Sequence, residues 1–114
     1  MVQRFDVGTR MSEMAVHNGV VYLAGQVAVE GAPDIGGQAR EVLATIDAWL
    51  ARAGTDKSRI LRAEIYLASM ADFPGMNLAW EAWVTPNHTP PRATVQATLA
   101  KPEWRIEIVI TAAV

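Results

Sequence analysis

Apolar and polar residues alternate most clearly in the last quarter of the chain. Residues 90–99 and 104–110 both alternate with period two, a pattern typical of β-strands that bury one face and expose the other. The short break at residues 100–103 predicts a hairpin loop between them. The pattern therefore predicts that the chain ends in a β-hairpin.

Within this hairpin, Arg92 and Glu107 are predicted to share the polar face. If Leu99 pairs with Trp104, Glu107 lies opposite Gln96, and the Arg92–Glu107 separation along the strands is roughly 7–13 Å at about 3.3 Å per residue. A guanidinium and a carboxylate at that distance could bracket a small anionic molecule. The alternative interpretation is that both side chains are solvated or paired on the wet face of a sheet.

The first third of the chain predicts an edge strand at residues 2–7 and a second hairpin made by residues 13–17 and 20–29. Asn18-Gly19 between these two strands supplies the positive φ angles that a type I′ turn requires. Gly25 is unusual because glycine weakens a strand. It indicates either a β-bulge or a close approach of another group to the backbone.

Two helices and one further strand are predicted in the middle of the chain. Asp34 is expected to cap a helix that runs to about residue 53, where Gly54 ends it. Residues 60–69 alternate as a strand. Asp72 is expected to cap a second helix that runs to residue 84.

The order of these elements predicts an α+β fold with one mixed β-sheet and both helices packed on one face. The other face has no cover from its own chain. It is predicted to carry polar and aromatic side chains: Tyr22, Gln26, Glu64, Tyr66, Arg92, Thr94, Gln96 and Glu107. We expect this face to form a subunit interface with clefts at its seams.

Composition and charge narrow the class of protein. The 114 residues suffice for a single domain, 1–114, and the absence of cysteine excludes disulfides and thiol chemistry. A net charge of −2 with scattered basic residues argues against a nucleic-acid partner. No apolar run is long enough to span a membrane and no signal peptide is visible, so a cytoplasmic protein is expected. His17 and His88 do not form a metal-ligand cluster, and no metal is predicted.

The apolar share of the sequence points to self-association. Hydrophobic residues make up 51% of the chain, and four of them are tryptophan. A small domain with this much apolar surface often buries part of it against copies of itself.

Several segments together resemble the Rid family of reactive-intermediate (enamine/imine) deaminases, also known as the YjgF group and as L-PSP endoribonucleases. The resemblance lies in residues 18–27, which end in Gly25-Gln26, in residues 73–77 with Trp80, in residues 91–95, and in Ile106-Glu107-Ile108. These segments cover nearly the whole chain in the family's order and spacing. No single segment is specific, but the combination is.

The resemblance implies a chorismate-mutase-like fold, a homotrimer and three sites at the seams between subunits. It implies that Arg92 binds the carboxylate of a 2-imino or 2-keto acid and that Glu107 lies near the water that attacks the imine carbon. Gly25 would line the pocket with its backbone. The implied reaction needs no cofactor, because an imino acid already hydrolyses in water and has only to be oriented beside an activated water.

Three neighbouring positions depart from the best-known subgroup, which indicates a divergent one. Met11 stands where that subgroup has tyrosine, Ala24 where it has serine, and Thr94 where it has cysteine. The pocket is thus expected to retain the arginine and the glutamate but to be drier and differently shaped.

Three functions are compatible with these features. The first is hydrolytic deamination of reactive 2-imino or enamine acids, with damage repair of metabolites as its role. The second is a trimer that binds small carboxylates or acts like a chaperone without catalysis. The third is the endoribonuclease or translation inhibitor of the older family label, which the negative charge and the lack of a catalytic histidine pair disfavour.

Overall fold

The computed structural model describes all residues, 1–114, as one layer of sheet and one layer of helices. The strands are β1 (Gln3–Val7), β2 (Ser12–His17), β3 (Val20–Leu23), β4 (Gln26–Val27), β5 (Ile60–Leu67), β6 (Arg92–Gln96) and β7 (Ile106–Ala113). The helices are α1 (Ile35–Arg52) and α2 (Phe73–Trp83), with short 3-10 turns at Lys57–Arg59 and Met70–Asp72.

The seven strands form one mixed sheet in the order β1-β2-β3-β7-β5-β6, and β4 continues the line of β3 along β7. Only β5 and β6 are parallel; the other neighbours are antiparallel. The predicted α+β class with a mixed sheet and two helices is confirmed.

The predicted C-terminal hairpin is wrong. β6 and β7 do not pair with each other, because β5 lies between them: β6 runs parallel to one edge of β5 and β7 runs antiparallel to the other. A strand that follows a helix commonly returns parallel beside the preceding strand. Here β6 follows α2 and returns parallel beside β5. Because β5 then separates β6 from β7, the predicted hairpin cannot form.

Residues 97–105 form the crossover that makes this order possible. The backbone N–H of Ala97 donates to the carbonyl of Leu67 at 2.9 Å, and the N–H of Ala68 donates to the carbonyl of Arg105 at 3.0 Å. Both ends of the crossover are thus tied to the end of β5. The segment read from the sequence as a hairpin loop instead passes over the end of the central strand.

The first predicted hairpin is confirmed, with a break in its second strand. Asn18 and Gly19 have φ angles of 51° and 76°, as a type I′ turn requires. The predicted strand 20–29 divides into β3 and β4 at Ala24 and Gly25. β1 is confirmed as an edge strand.

α1 begins and ends as predicted. The Asp34 carboxylate accepts a hydrogen bond from the N–H of Gly37 at 3.0 Å, and Gly54 follows the helix at φ 82°. Asp72, by contrast, makes no cap bond to α2. The 3-10 turn before α2 already gives Asp72 a helical backbone, and its carboxylate accepts two bonds from Arg105 at 3.0 and 3.1 Å.

Both helices pack on the sheet face that carries alternate residues of the central strands. That face is apolar where the helices cover it, and its fully buried members include Ala63, Ile65, Leu67, Ile106, Ile108 and Ile110. Strand alternation sends the residues between these to the opposite, open face. The open face holds Tyr22 and Val95, which are about half exposed at 52% and 48%.

The predicted membership of the open face is therefore correct only in part. Tyr22, Glu64, Tyr66 and Glu107 lie there, because they pair with one another or with other open-face residues. Four residues assigned to it lie on the helix face instead, because their pairing partners are core residues: Gln26, Arg92, Thr94 and Gln96.

Gln38 connects α1 to the crossover. Its side chain is 1% exposed, and its Nε2 donates to the carbonyls of Ala32 and Glu103, both at 2.9 Å. Its Oε1 accepts from the N–H of Arg105 at 2.8 Å. One buried amide thus satisfies three backbone groups that have no strand partner.

Gln38→Met keeps the side-chain volume but leaves three part-buried backbone groups without their hydrogen-bond partner. We expect it to lower the free energy of unfolding by about 1–3 kcal/mol. Urea denaturation at a fixed protein concentration measures the change. Gln3→Met, the same substitution at an exposed position of β1, should stay within about 0.5 kcal/mol of the parent. Equal effects of the two substitutions would contradict this role for Gln38.

Candidate functional site

Glu107 projects from the open face near the middle of the sheet. Its neighbours Ile106 and Ile108 are buried under the helices, so alternation directs the carboxylate the other way. Its cross-strand partners are Tyr66 on β5 and Val27 on β4. The sequence prediction that Glu107 faces away from the helices is correct.

A one-residue bulge at Ala24 and Gly25 interrupts pairing beside Glu107. Tyr22 pairs with Thr111 and Gln26 pairs with Ile108. The chain therefore advances four residues from the first pair to the second on one side, but only three residues on β7. An extra residue of this kind bends a strand and is common beside functional sites. The prediction of a bulge at Gly25 is thus correct.

The second interpretation of Gly25, a close approach to its backbone, is correct as well. A Cβ atom placed on Gly25 would lie 2.8 Å from the Cδ and 3.0 Å from the Cγ of Glu107. The carboxylate of Glu107 therefore rests in space that only glycine leaves free.

Met11 and Ala24 belong to the same end of the sheet. The N–H of Ala24 donates to the carbonyl of Glu13 at 2.9 Å, next to the loop that carries Met11. Met11 is 52% exposed and lines an open depression of about 570 Å³ between β1 and β2. Ala24, Gly25 and Glu107 make up what we call the glutamate half-site, and Met11 lies in the neighbouring loop between β1 and β2.

Arg92 lies on the other side of the sheet, at the start of the edge strand β6. Its Cα partner is the core residue Ala63, so its side chain extends beneath α2. The guanidinium carbon lies 5.4 Å from the ring centre of Trp80 and 6.0 Å from that of Phe73. Burial lowers the pKa of Arg92 below its ordinary value, but an arginine in a protein stays protonated near neutral pH.

Thr94 is two residues further along β6 and faces the same way. Its Cα partner is Ile65, and its hydroxyl is buried without a hydrogen-bond partner in the single chain. A buried hydroxyl with no partner is unfavourable unless something else binds it. Arg92 and Thr94, with the aromatic wall of α2, make up the arginine half-site.

The expected bracket of Arg92 and Glu107 within one chain is wrong. The two residues lie on opposite faces of the sheet, on strands that flank β5 from either side. The prediction that they share a face depended on a hairpin between β6 and β7, which does not form. The strand–helix–strand order of residues 60–96 was the signal that could have corrected it, since it predicts β6 beside β5.

The sequence placed Glu64 and Tyr66 on the open face, but it did not predict that the two side chains are hydrogen-bonded to each other. The Tyr66 hydroxyl donates to the Glu64 carboxylate at 2.9 Å, and Glu64 lies 3.4 Å from the Arg62 guanidinium. The hydrogen bond to Glu64 raises the pKa of Tyr66 above its ordinary value, and the charges of Glu64 and Glu107 add to the effect. Tyr66 thus remains a neutral phenol next to Glu107.

Met76 and Trp80 of α2 are buried in the core, and Phe73 packs against it. They have a second role, because Arg92 lies against all three; its Nη1 is 4.0 Å from the Met76 sulfur.

The chain contains no group of three or more histidine, cysteine or acidic residues placed to hold a metal ion. Neither helix has the length and apolarity that a membrane span requires.

The family model described as "Endoribonuclease L-PSP" matches residues 1–114. The chain belongs to this family. The match covers both half-sites and every strand, and it confirms the resemblance drawn from the sequence.

Several known proteins match this chain over most of their length. The chain is 54% identical over 114 residues to a RutC family protein of Haemophilus ducreyi, and the match covers 100% of this chain and 97% of the relative. It is 32% identical over 95 residues to the 3-aminoacrylate deaminase RutC of Acinetobacter baylyi, with 78% and 75% covered. A crystal structure of a YjgF family member from Neisseria meningitidis is similar at a TM-score of 0.96 and 46% identity, covering 99% of this chain and 94% of that one.

The contact between Gly25 and Glu107 predicts a coupling between two substitutions. Gly25→Ala alone should lower the free energy of unfolding by about 1–3 kcal/mol, because the new methyl group displaces the carboxylate. In a Glu107→Ala background the same change should be neutral or stabilising by about 0.4–1 kcal/mol, since Gly25 does not have a positive φ. A double-mutant cycle followed by urea denaturation measures the coupling. Equal effects in both backgrounds would show that Glu107 does not occupy this space.

Thr94→Val replaces the unpartnered hydroxyl by a methyl group of similar size. We expect it to leave the free energy of unfolding of the ligand-free protein unchanged or to raise it by about 1–2 kcal/mol. Thr98→Val removes a hydroxyl at an exposed position and is the matched control. A loss of more than about 1 kcal/mol in Thr94→Val alone would mean that this hydroxyl has a partner within the protein.

Proposed function

We propose that the protein hydrolyses reactive 2-imino or enamine acids to the corresponding 2-ketoacids and ammonia. The site lies at the seam between two copies in a homotrimer. One copy contributes the arginine half-site and its neighbour contributes the glutamate half-site. Each chain then carries half of two different sites.

The observation that carries this proposal is the placement of Arg92 and Glu107 on opposite faces of one sheet. Neither half-site alone has both an anion-binding group and a group that accepts a proton. The open face around Glu107 has no cover within its own chain, and the arginine half-site lies at the exposed edge strand. A second copy that packs its edge strand against the open face would bring the halves together.

The arginine half-site has the chemistry to bind the substrate carboxylate. The Arg92 guanidinium can donate two parallel hydrogen bonds to a carboxylate, which fixes orientation as well as affinity. The unpartnered Thr94 hydroxyl is a further donor in the same direction. The rings of Phe73 and Trp80 hold the guanidinium in place and exclude water on one side.

The glutamate half-site has the chemistry to activate water. In this proposal, the imine is protonated on nitrogen, and Glu107 accepts a proton from a water molecule while the oxygen attacks the iminium carbon, giving a carbinolamine. Glu107 returns this proton to nitrogen and then accepts the hydroxyl proton as the carbon–nitrogen bond breaks. Ammonia leaves as the ketone forms, and Glu107 passes the last proton to solvent or to ammonia. An enamine substrate first takes a proton on carbon to become the imine.

The relatives support this class of reaction more than RNA cleavage. A protein named as a 3-aminoacrylate deaminase, an enamine acid hydrolase by that name, is 32% identical over 95 residues. The family description names an endoribonuclease, but this chain carries a net charge of −2. Its two histidines are each bonded to a backbone carbonyl, His17 to that of Met1 and His88 to that of Pro86.

Subunit complementation tests the proposal directly. Arg92→Lys keeps the charge but loses the planar fork, and Glu107→Gln keeps the shape but loses proton acceptance. Each variant alone should form a trimer. Glu107→Gln should lose roughly 10²–10⁴-fold in the rate of ammonia release from freshly generated imino acids. Arg92→Lys should lose about 10–150-fold, the equivalent of about 1.5–3 kcal/mol. Co-expression of the two, with separate affinity tags, yields mixed trimers in which about one seam in three has both native residues.

Mixed trimers should therefore recover about a third of the parent rate. If both residues act within one chain, mixing restores nothing, and that outcome contradicts the seam. Arg4→Lys, at an exposed position of β1, is the matched control and should leave the rate unchanged. A species of 12.4 kDa in sedimentation at micromolar concentration would also exclude a shared site.

The non-catalytic trimer is distinguished by binding without turnover. Parent protein that binds a 2-ketoacid through Arg92, yet releases ammonia no faster than buffer, would replace the deaminase by a carboxylate-binding function. RNA degraded by the parent but not by Arg92→Ala would favour the endoribonuclease. Both measurements use the parent protein, and the second adds the Arg92→Ala variant.

A further inference from the structure

A groove of about 470 Å³ runs between α1 and α2 on a side that the proposed site does not use. Arg92 contacts one flank of α2 through Met76 and Trp80, whereas the groove is lined by the other flank through Ala79 and Ala82. Its volume lies within the range of small-molecule sites, about 300–1,000 Å³.

Small side chains create the groove. At one end the helices approach closely, since a Cβ on Gly75 would lie 2.7 Å from the Cγ2 of Ile35. Ala44 and Ala82 are exposed along its sides, and Leu43 forms part of its floor. From Gly75 to Trp83 the groove is roughly 12 Å long at 1.5 Å per residue. The result is a slot with apolar walls.

Arg40 provides a positive charge at the end near Gly36. Its Nη1 would lie 3.1 Å from a Cβ on Gly36, so the guanidinium occupies space that a side chain there would fill. Arg40 takes part in none of the three ion pairs of the chain. The nearby Asp34 carboxylate accepts the N–H of Gly37, as the cap of α1.

The far end of the groove is aromatic, and its acidic group is already bonded. The Trp83 Nε1–H donates to the Asp47 carboxylate at 2.9 Å, and the Lys57 ammonium lies 5.1 Å above the Trp83 ring centre. Asp47 is the one acidic residue in the lining, against the cations Arg40 and Lys57. The charge of the groove is thus complementary to an anion.

We propose that this groove is a second ligand site, for a small molecule with a flat apolar body and one anionic group. The anionic group binds Arg40, the body lies between Ala44 and Ala82, and its far end contacts Trp83. This site does not depend on the proposed deaminase function.

Two fluorescent probes test the charge and the shape of the ligand separately. Anilinonaphthalene sulfonate has the aromatic body and one anionic group, and N-phenylnaphthylamine has the same rings without the sulfonate. Fluorescence titration of the parent protein should show saturable binding of both, with the sulfonate binding more tightly.

Arg40→Gln should weaken binding of the sulfonate about tenfold and leave the affinity for the uncharged probe unchanged. Ala82→Leu should weaken both probes, because it fills the slot. Arg4→Gln and Ala48→Leu make the same substitutions at exposed positions outside the groove and should change neither. Circular dichroism melting verifies that each variant is folded; if Ala82→Leu is not, Arg40→Gln decides.

Three outcomes would overturn the proposal. One is that neither probe binds the folded parent saturably. A second is that the sulfonate binds the parent and Arg40→Gln equally well. Displacement of the sulfonate by a 2-ketoacid in the parent, but not in Arg92→Ala, would assign the probe to the arginine half-site and would also overturn it.

Discussion

The position of β5 between β6 and β7 is the constraint on which the rest of the structure depends. Ala63, Ile65 and Leu67 are buried under the helices, and the strand's alternation fixes the direction of each side chain paired with them. Arg92 pairs with a buried residue of β5 and so lies under α2. Glu107 pairs with Tyr66 and so lies on the open face.

This arrangement gives the two functional groups very different surroundings. The guanidinium lies against aromatic rings and a thioether at the edge of the sheet, where water is partly excluded. The carboxylate lies over a bulge at Gly25, beside a phenol bonded to a second carboxylate. An anion-binding group benefits from the first environment, and a group that exchanges protons with water benefits from the second. The proposed seam uses both at once.

The crossover of residues 97–105 links the two layers and holds β7 in position. Gln38 binds it to α1 through Glu103 and Arg105, and Asp72 binds it to the start of α2 through the Arg105 side chain. A shift of the crossover would slide β7 along β5 and change the pairing of Glu107. These contacts involve neither Arg92 nor Glu107 directly, but they hold the end of the strand that carries Glu107.

The sequence alone determined the elements, and the tertiary structure decided their partners. Period-two and helical patterns are local, and they predicted the strands, both helices, the Asn18-Gly19 turn and the cap at Asp34. They also predicted that Glu107 faces away from Ile106 and Ile108. For Gly25 they predicted either a bulge or a close approach of another group to the backbone. Strand pairing is not local: whether β7 lies beside β6 or beyond β5 depends on a crossover of residues 97–105, in which periodicity carries no information. Only the folded chain could therefore show that Arg92 and Glu107 lie on opposite faces of one sheet.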